Sequence, residues 1–185
     1  MDSERYGPAI AELLAEPRLP ELGPGAPNRA ALDKLRALTP EGMFPDLRDR
    51  EMARACLAGL WLYHDFLDES HRISQDLPGE TGSYWHGIMH RREPDADNAK
   101  YWFRRVGRHP VFPALRDAAA ELARTSPAPD ASFLWRQAEW DPAGFVNLCE
   151  RARGSGSDLE ALCRQVQLRE WELLFDYCYR RASGG

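Results

Sequence analysis

Apolar residues recur at three- and four-residue spacings through most of the chain, strict alternation is absent, and proline and glycine divide the sequence into helical segments. The pattern predicts an all-α protein, a single-domain irregular helix bundle with a Pro/Gly-rich N-terminal arm. A short amphipathic piece over about 5–15 precedes a connector from Pro17 to Pro27, expected to run over the surface as an ordered arm. Asn28 can cap a helix through about Leu38, which TPEGMFP at 39–45 ends. From about Asp49 to Asp76 only Gly59 interrupts the pattern. The stripe Ala53, Leu57, Leu60, His64, Leu67/Asp68, His71 predicts the longest helix there. LPGETG at 77–82 breaks the chain, Ser83 can cap a helix to about Arg92, and Glu93-Pro94 ends it. Asp95 or Asp97 starts another, which closes at Gly107.

Beyond that point a helix is expected over about Ala114 to Arg124, then a turn at PAPDAS. Asp141-Pro142 combines a cap with proline at the first helical position. GSGS at 154–157 is a flexible connector, and Ser157 with Glu160 predicts a capping box for a final helix to about Arg181. No internal repeat is present. The chain reads as one domain over 1–185, with arm and short helices at 1–48, His/carboxylate-rich helices at 49–112 and C-terminal helices at 113–185.

A chain of 185 residues with 43% hydrophobic content is long enough for one well-buried core. Its net charge of −5 argues against a general nucleic-acid or anionic-membrane binder. Lysine occurs only at Lys34 and Lys100, so arginine carries nearly all positive charge, a bias that base composition can produce as readily as function. Cys56, Cys149, Cys163 and Cys178 form no C-x-x-C pair and read as reduced core residues. The acidic start, MDSERYGPAI, has no apolar run, and no stretch reaches membrane-span length. A cytoplasmic, soluble protein is expected.

All five histidines, His64, His71, His86, His90 and His109, fall within one quarter of the chain, among Asp65, Asp68, Glu69, Glu93, Asp95 and Asp97. Imidazole and carboxylate bind transition metals and move protons near neutral pH, so this cluster is the candidate for chemistry. His64-x3-Asp68-x2-His71 and His86-x3-His90-x2-Glu93 each place three polar groups on successive turns of one helix face. His64, His71, His86 and His90 are the candidate metal ligands, for zinc, iron or manganese. His64, Asp68, His71, Glu93 and Glu170 are the candidate catalytic groups. Gly87, Ile88 and Met89 stand between the paired histidines, so no H-E-x-x-H protease motif exists. The plainer alternative makes the histidines core residues bonded to carboxylates or carbonyls.

Arg91, Arg92, Arg104 and Arg105 flank the cluster and have the fork geometry to hold a substrate carboxylate or phosphate, although solvation or neutralisation of Glu93, Asp95 and Asp97 is their default. Tyr84, Trp85, Tyr101, Trp102 and Phe103 are core by spacing, and some can wall a pocket; Tyr84, Trp85, Arg91, Arg92, Tyr101, Trp102 and Arg105 make up the candidate substrate-binding set. Glu170 lies on the stripe of Val166, Leu173, Leu174 and Tyr177, where a carboxylate needs a partner, either the histidines or an arginine. The short LPGETG connection makes the two histidine helices neighbours, predicting His71–His86 and His64–His90 pairs lining one cavity with Glu170 as its wall.

SYWHGIMHRREPDADNAKYWFRRVGRHPVF, with HDFLDESHRISQ upstream and REWELLFDYCYRRA near the C-terminus, resembles an uncharacterised family of all-helical, soluble microbial proteins. Its distinctive segment is W-H-x3-H-R-R-E-P-D-x2-N-x-K-Y-W. The resemblance covers about 57–112 and the final helix, implies no activity, and assigns no role to any residue. Three functions remain open. The first is a metal enzyme that hydrolyses or oxidises a small polar or anionic molecule. The second is a metal-free His/carboxylate acid–base enzyme. The third is a binding or scaffold protein whose buried polar network fixes helix register.

Overall fold

A computed structural model describes residues 3–128 and 130–185. Pro129, within the predicted PAPDAS turn, and Met1 and Asp2 of the acidic start lie outside the described residues. The described chain is helical throughout, with no strand. Its helices are α1 (Pro8–Leu14), α2 (Leu32–Ala37), α3 (Pro40–Met43), α4 (Arg50–Tyr63), α5 (Leu67–Ser74), α6 (Gly79–Arg92), α7 (Ala96–Val106), α8 (Phe112–Thr125), α9 (Ser132–Arg136), α10 (Pro142–Ala152) and α11 (Asp158–Ser183). Several start where a side chain satisfies an otherwise orphaned N–H: Asp49 accepts from Met52, Asp95 from Asn98, Asp141 from Gly144 and Ser157 from Glu160. Glu160 does not complete the expected reciprocal box. Its carboxylate instead takes the N–H groups of Gly154 and Gly156, at 2.7 Å each, and so fixes the GSGS connector.

The long α11 supplies the spine. Its buried residues, including Leu162, Val166, Glu170, Trp171, Leu174 and Cys178, follow the three-four spacing and pack against α4, α8 and α10. α4 crosses closely because Gly59 has no side chain: a Cβ there would lie 2.8 Å from the Trp85 ring, and the Gly59 carbonyl accepts the Trp171 indole N–H at 2.8 Å. α6 sits between α5 and α7, and a Cβ at Gly87 would press on Phe103 of α7 at 3.2 Å. The four cysteines are buried free thiols, in contact as Cys56–Cys178 and Cys149–Cys163. No helix of the described residues is long and apolar enough to cross a membrane.

Three expectations change. The helix predicted over 49–76 is two helices, broken at His64–Phe66, where Asp65 takes a left-handed φ of +63°. Its carboxylate is held there by Arg92 at 2.5 Å and Arg18 at 2.6 Å, which outweighs a left-handed penalty of about 1–2 kcal/mol. α6 begins at Gly79, four residues before the predicted cap, and the Ser83 hydroxyl bonds back to the Gly79 carbonyl inside the helix. Asn28 caps nothing, because its side chain is turned to His64. The N-terminal arm is ordered: Arg92 donates to the carbonyls of Glu21, Gly23 and Pro24, and Arg164 to those of Leu19 and Pro20.

Candidate metal centre

The short 75–78 connection sets α6 against α5, and three imidazoles meet at that contact. His71 of α5 lies 4.7 Å from His86 and 5.2 Å from His90 between ring centroids, while His86 and His90, one turn apart on α6, stack at 4.6 Å. One nitrogen from each ring lies within 4.8 Å of the others. Around a tetrahedral zinc with about 2.0–2.1 Å bonds, such nitrogens stand about 3.3 Å apart, so gripping an ion needs a contraction of at most about 1.5 Å, within reach of small ring rotations.

His86 occupies the centre of this group. It is 3% exposed, and neither ring nitrogen has a hydrogen-bond partner among the described residues. A buried polar group left this way costs about 1–3 kcal/mol unless something else engages it. Trp102 of α7 covers the ring at 4.0 Å and a 23° interplanar angle, with Arg105 lying over the Trp102 ring in turn. Burial, and then the neighbouring His90 and His71, push the His86 pKa down to about 3. It is therefore a neutral imidazole at physiological pH, the form that ligates a metal.

His90 is also lowered, by burial first, with the Glu93 hydrogen bond acting in the opposite direction. Its Nδ1 lies 2.9 Å from Glu93 Oε2, and the amide nitrogen of Asn98 approaches the ring. Sequence reasoning missed Asn98. Its signal was available in the spacing: capping by Asp95 places Asn98 in the first turn of α7, facing back over the end of α6.

His64 does not join the group. The break after Tyr63 turns it to the N-terminal segment, where Nε2 donates to the Leu13 carbonyl at 3.1 Å and Nδ1 accepts from the Asn28 amide at 3.1 Å. Burial and the charge of Arg18 lower its pKa to about 4. The expected His64–His90 pair is therefore absent, whereas His71 and His86 are in contact. Asp68 is exposed beside Pro24, Gly25 and Pro27. His109 accepts from the Val111 N–H and contacts the Thr81 hydroxyl, and burial lowers its pKa to about 4.

Glu170 faces away from the imidazoles. It is wholly buried, bonded to Arg91 at 2.5 Å and to the Tyr84 hydroxyl at 3.1 Å. Arg91 also lies over the Phe145 ring, and Arg92 is locked to Asp65, the Leu62 carbonyl and the arm. Both arginines are fully buried, so they are neither solvated nor placed to meet a substrate. Tyr84 and Trp85 are 0% exposed core residues. Of the candidate substrate residues, Trp102 alone is seen to stack on an imidazole, that of His86, while the exposed Tyr101 and Arg105 contact the Trp102 ring. A cleft of about 360 Å³ lies elsewhere, lined by Arg108, His109, Phe112, Arg116 and Trp140 among others.

Comparison with known proteins finds no similar family model, curated protein or solved structure. The resemblance carried by the W-H-x3-H segment thus brings no activity, and function rests on the site itself.

Proposed function

We propose that His71, His86 and His90 bind one divalent transition-metal ion, and that the protein is a metal-dependent enzyme acting on a small polar or anionic molecule. The observation that carries this is His86: a buried, neutral imidazole with both nitrogens unpartnered, flanked by two further imidazoles. Three imidazole nitrogen donors with no carboxylate among them suit zinc better than manganese, which prefers oxygen, or an oxygen-activating iron site, which wants a carboxylate ligand. Three protein ligands on zinc leave a position for water, whose acidification there supports hydrolysis. Trp102 stacks on His86 and Arg105 lies over Trp102, and these are the side chains for an anionic substrate to meet first. The four free thiols suit a reducing, cytoplasmic compartment, and the acidic balance suits a small-molecule partner over nucleic acid.

The metal-free acid–base reading is weaker, because His86, with a pKa of about 3, does not take up the second proton that a general acid needs near neutrality. A scaffold reading draws on a different observation, the closed Arg91–Glu170 and Arg92–Asp65 pairs, which fix helix register without any ligand.

Elemental analysis of protein grown with zinc, iron and manganese supplied tests the proposal. About one equivalent of zinc is expected in the wild type, and far less in His86→Ala and His90→Ala. Wild-type protein carrying none of the three metals would overturn it.

A further inference from the structure

His90 is placed differently from its two partners, and the difference concerns which nitrogen meets an ion. A carboxylate only accepts hydrogen bonds, so the 2.9 Å contact with Glu93 Oε2 assigns the proton of the neutral His90 ring to Nδ1. The lone pair then lies on Nε2. The Asn98 amide nitrogen is 3.2 Å from Nε2 and 3.4 Å from Nδ1. An in-plane atom that close to both nitrogens would overlap the carbon between them. Asn98 therefore rests against the face of the ring, and the in-plane lone pair of Nε2 stays open. His86 stacks on the same imidazole at 4.6 Å and fixes its plane, while Glu93 fixes its rotation.

We infer that Glu93 is a positioning residue of the metal centre: it dedicates Nε2 of His90 to the ion and raises the basicity of that nitrogen, without ligating the ion itself. Asn98 packs against the ring and takes no part in this selection. The inference rests on the three-histidine metal reading and adds to it the ligating atom of His90 and the source of its alignment. It also gives the H-x2-E step a role different from that of a third ligand on the helix.

The test uses purified full-length protein titrated with zinc against a chromophoric chelator. Glu93→Ala should weaken zinc binding by about 10- to 100-fold, since outer-shell partners of ligating histidines typically contribute that much. Glu93→Gln, which keeps an acceptor and loses the charge, should fall between Glu93→Ala and wild type. Asn98→Ala should stay within about threefold of wild type, because it removes a contact and no alignment. The Glu93 side chain is 48% exposed, so both Glu93 variants are expected to fold, and a helical spectrum checks this for all three. Long-range 15N–1H correlation spectra of the metal-free wild type give a second readout, with His90 in the Nδ1–H tautomer and His64 in the Nε2–H tautomer. Unchanged zinc affinity in Glu93→Ala, or an Nε2–H tautomer at His90, would overturn the role of Glu93 alone. Absence of zinc binding by the wild type, with the Nδ1–H tautomer present, would overturn the metal reading and this role with it.

Discussion

Replacing Glu170 with glutamine leaves its volume almost unchanged and removes one charge from a site where both partners are fully buried. Arg91 keeps its charge, with Gln167 Oε1 at 3.3 Å and the Phe145 and Phe103 rings still beside it, while its Nε and Nη1 have no acceptor among the described residues even before the substitution. Breaking a buried pair by removing one partner costs about 3–5 kcal/mol, much of it the penalty of the stranded charge. With urea m-values of about 1–3 kcal/mol per molar, the unfolding midpoint should fall by about 2 M, and melting should drop by roughly 10 °C. The double variant Arg91→Met/Glu170→Leu removes both charges and should recover most of that loss. Zinc affinity per folded molecule should not change in either variant, because this pair faces the opposite side of α6 from the imidazoles. A Glu170→Gln protein within about 1 kcal/mol of wild type, or a double variant no better than the single, would refute the reasoning.

Further predictions concern the other polar residues. His64 and His109 have folded pKa values of about 4, below the unfolded 6.5, so the unfolded state binds more protons between these values and stability is lost as pH falls from about 6.5 to 4. The loss should be about 2 kcal/mol for each by pH 5, and urea unfolding of His64→Gln and His109→Gln at pH 7 and 5 should show a flatter dependence than wild type. Asp65→Gly relieves the left-handed strain yet strands Arg92, so it should destabilise by about 2–4 kcal/mol in the same assay; a more stable variant would show the strain to be the larger effect. Copper(II) or cobalt(II) binding should quench the fluorescence of Trp102, stacked 4.0 Å from His86, and the quenched component should vanish in Trp102→Phe.

Most of the fold was legible because helices announce themselves locally. Periodicity placed α4, α7, α8, α10 and α11, and Asp95, Asp141 and Ser157 marked starts that need only a side chain and a nearby N–H. The break at Asp65 was not legible, because no glycine or proline makes it. It exists through two arginines that the fold brings from 47 and 27 positions away in sequence. That break also explains the split among the histidines. His71, His86 and His90 depend on an i, i+4 pair and a short connection, both readable, whereas His64 belonged with them only if one helix ran through 49–76. The burial of Arg91 and Arg92 was hidden for a related reason. Arginine is solvated by default, and its exceptions depend on partners such as Glu170 and Asp65 whose proximity is tertiary. Glu170 itself presented two alternatives, and the partner is the arginine.

Calorimetric titration of zinc into metal-free protein near pH 7, run in parallel on wild type and His86→Ala, tests the central claim most directly. His86 is the unpartnered centre of the group, and removing it leaves His71 and His90 without their common neighbour. The account predicts a single site of about one equivalent in the wild type and at least 100-fold weaker binding in a His86→Ala protein that keeps its helical spectrum. Equal zinc binding by the two proteins, or none by the wild type, would contradict it.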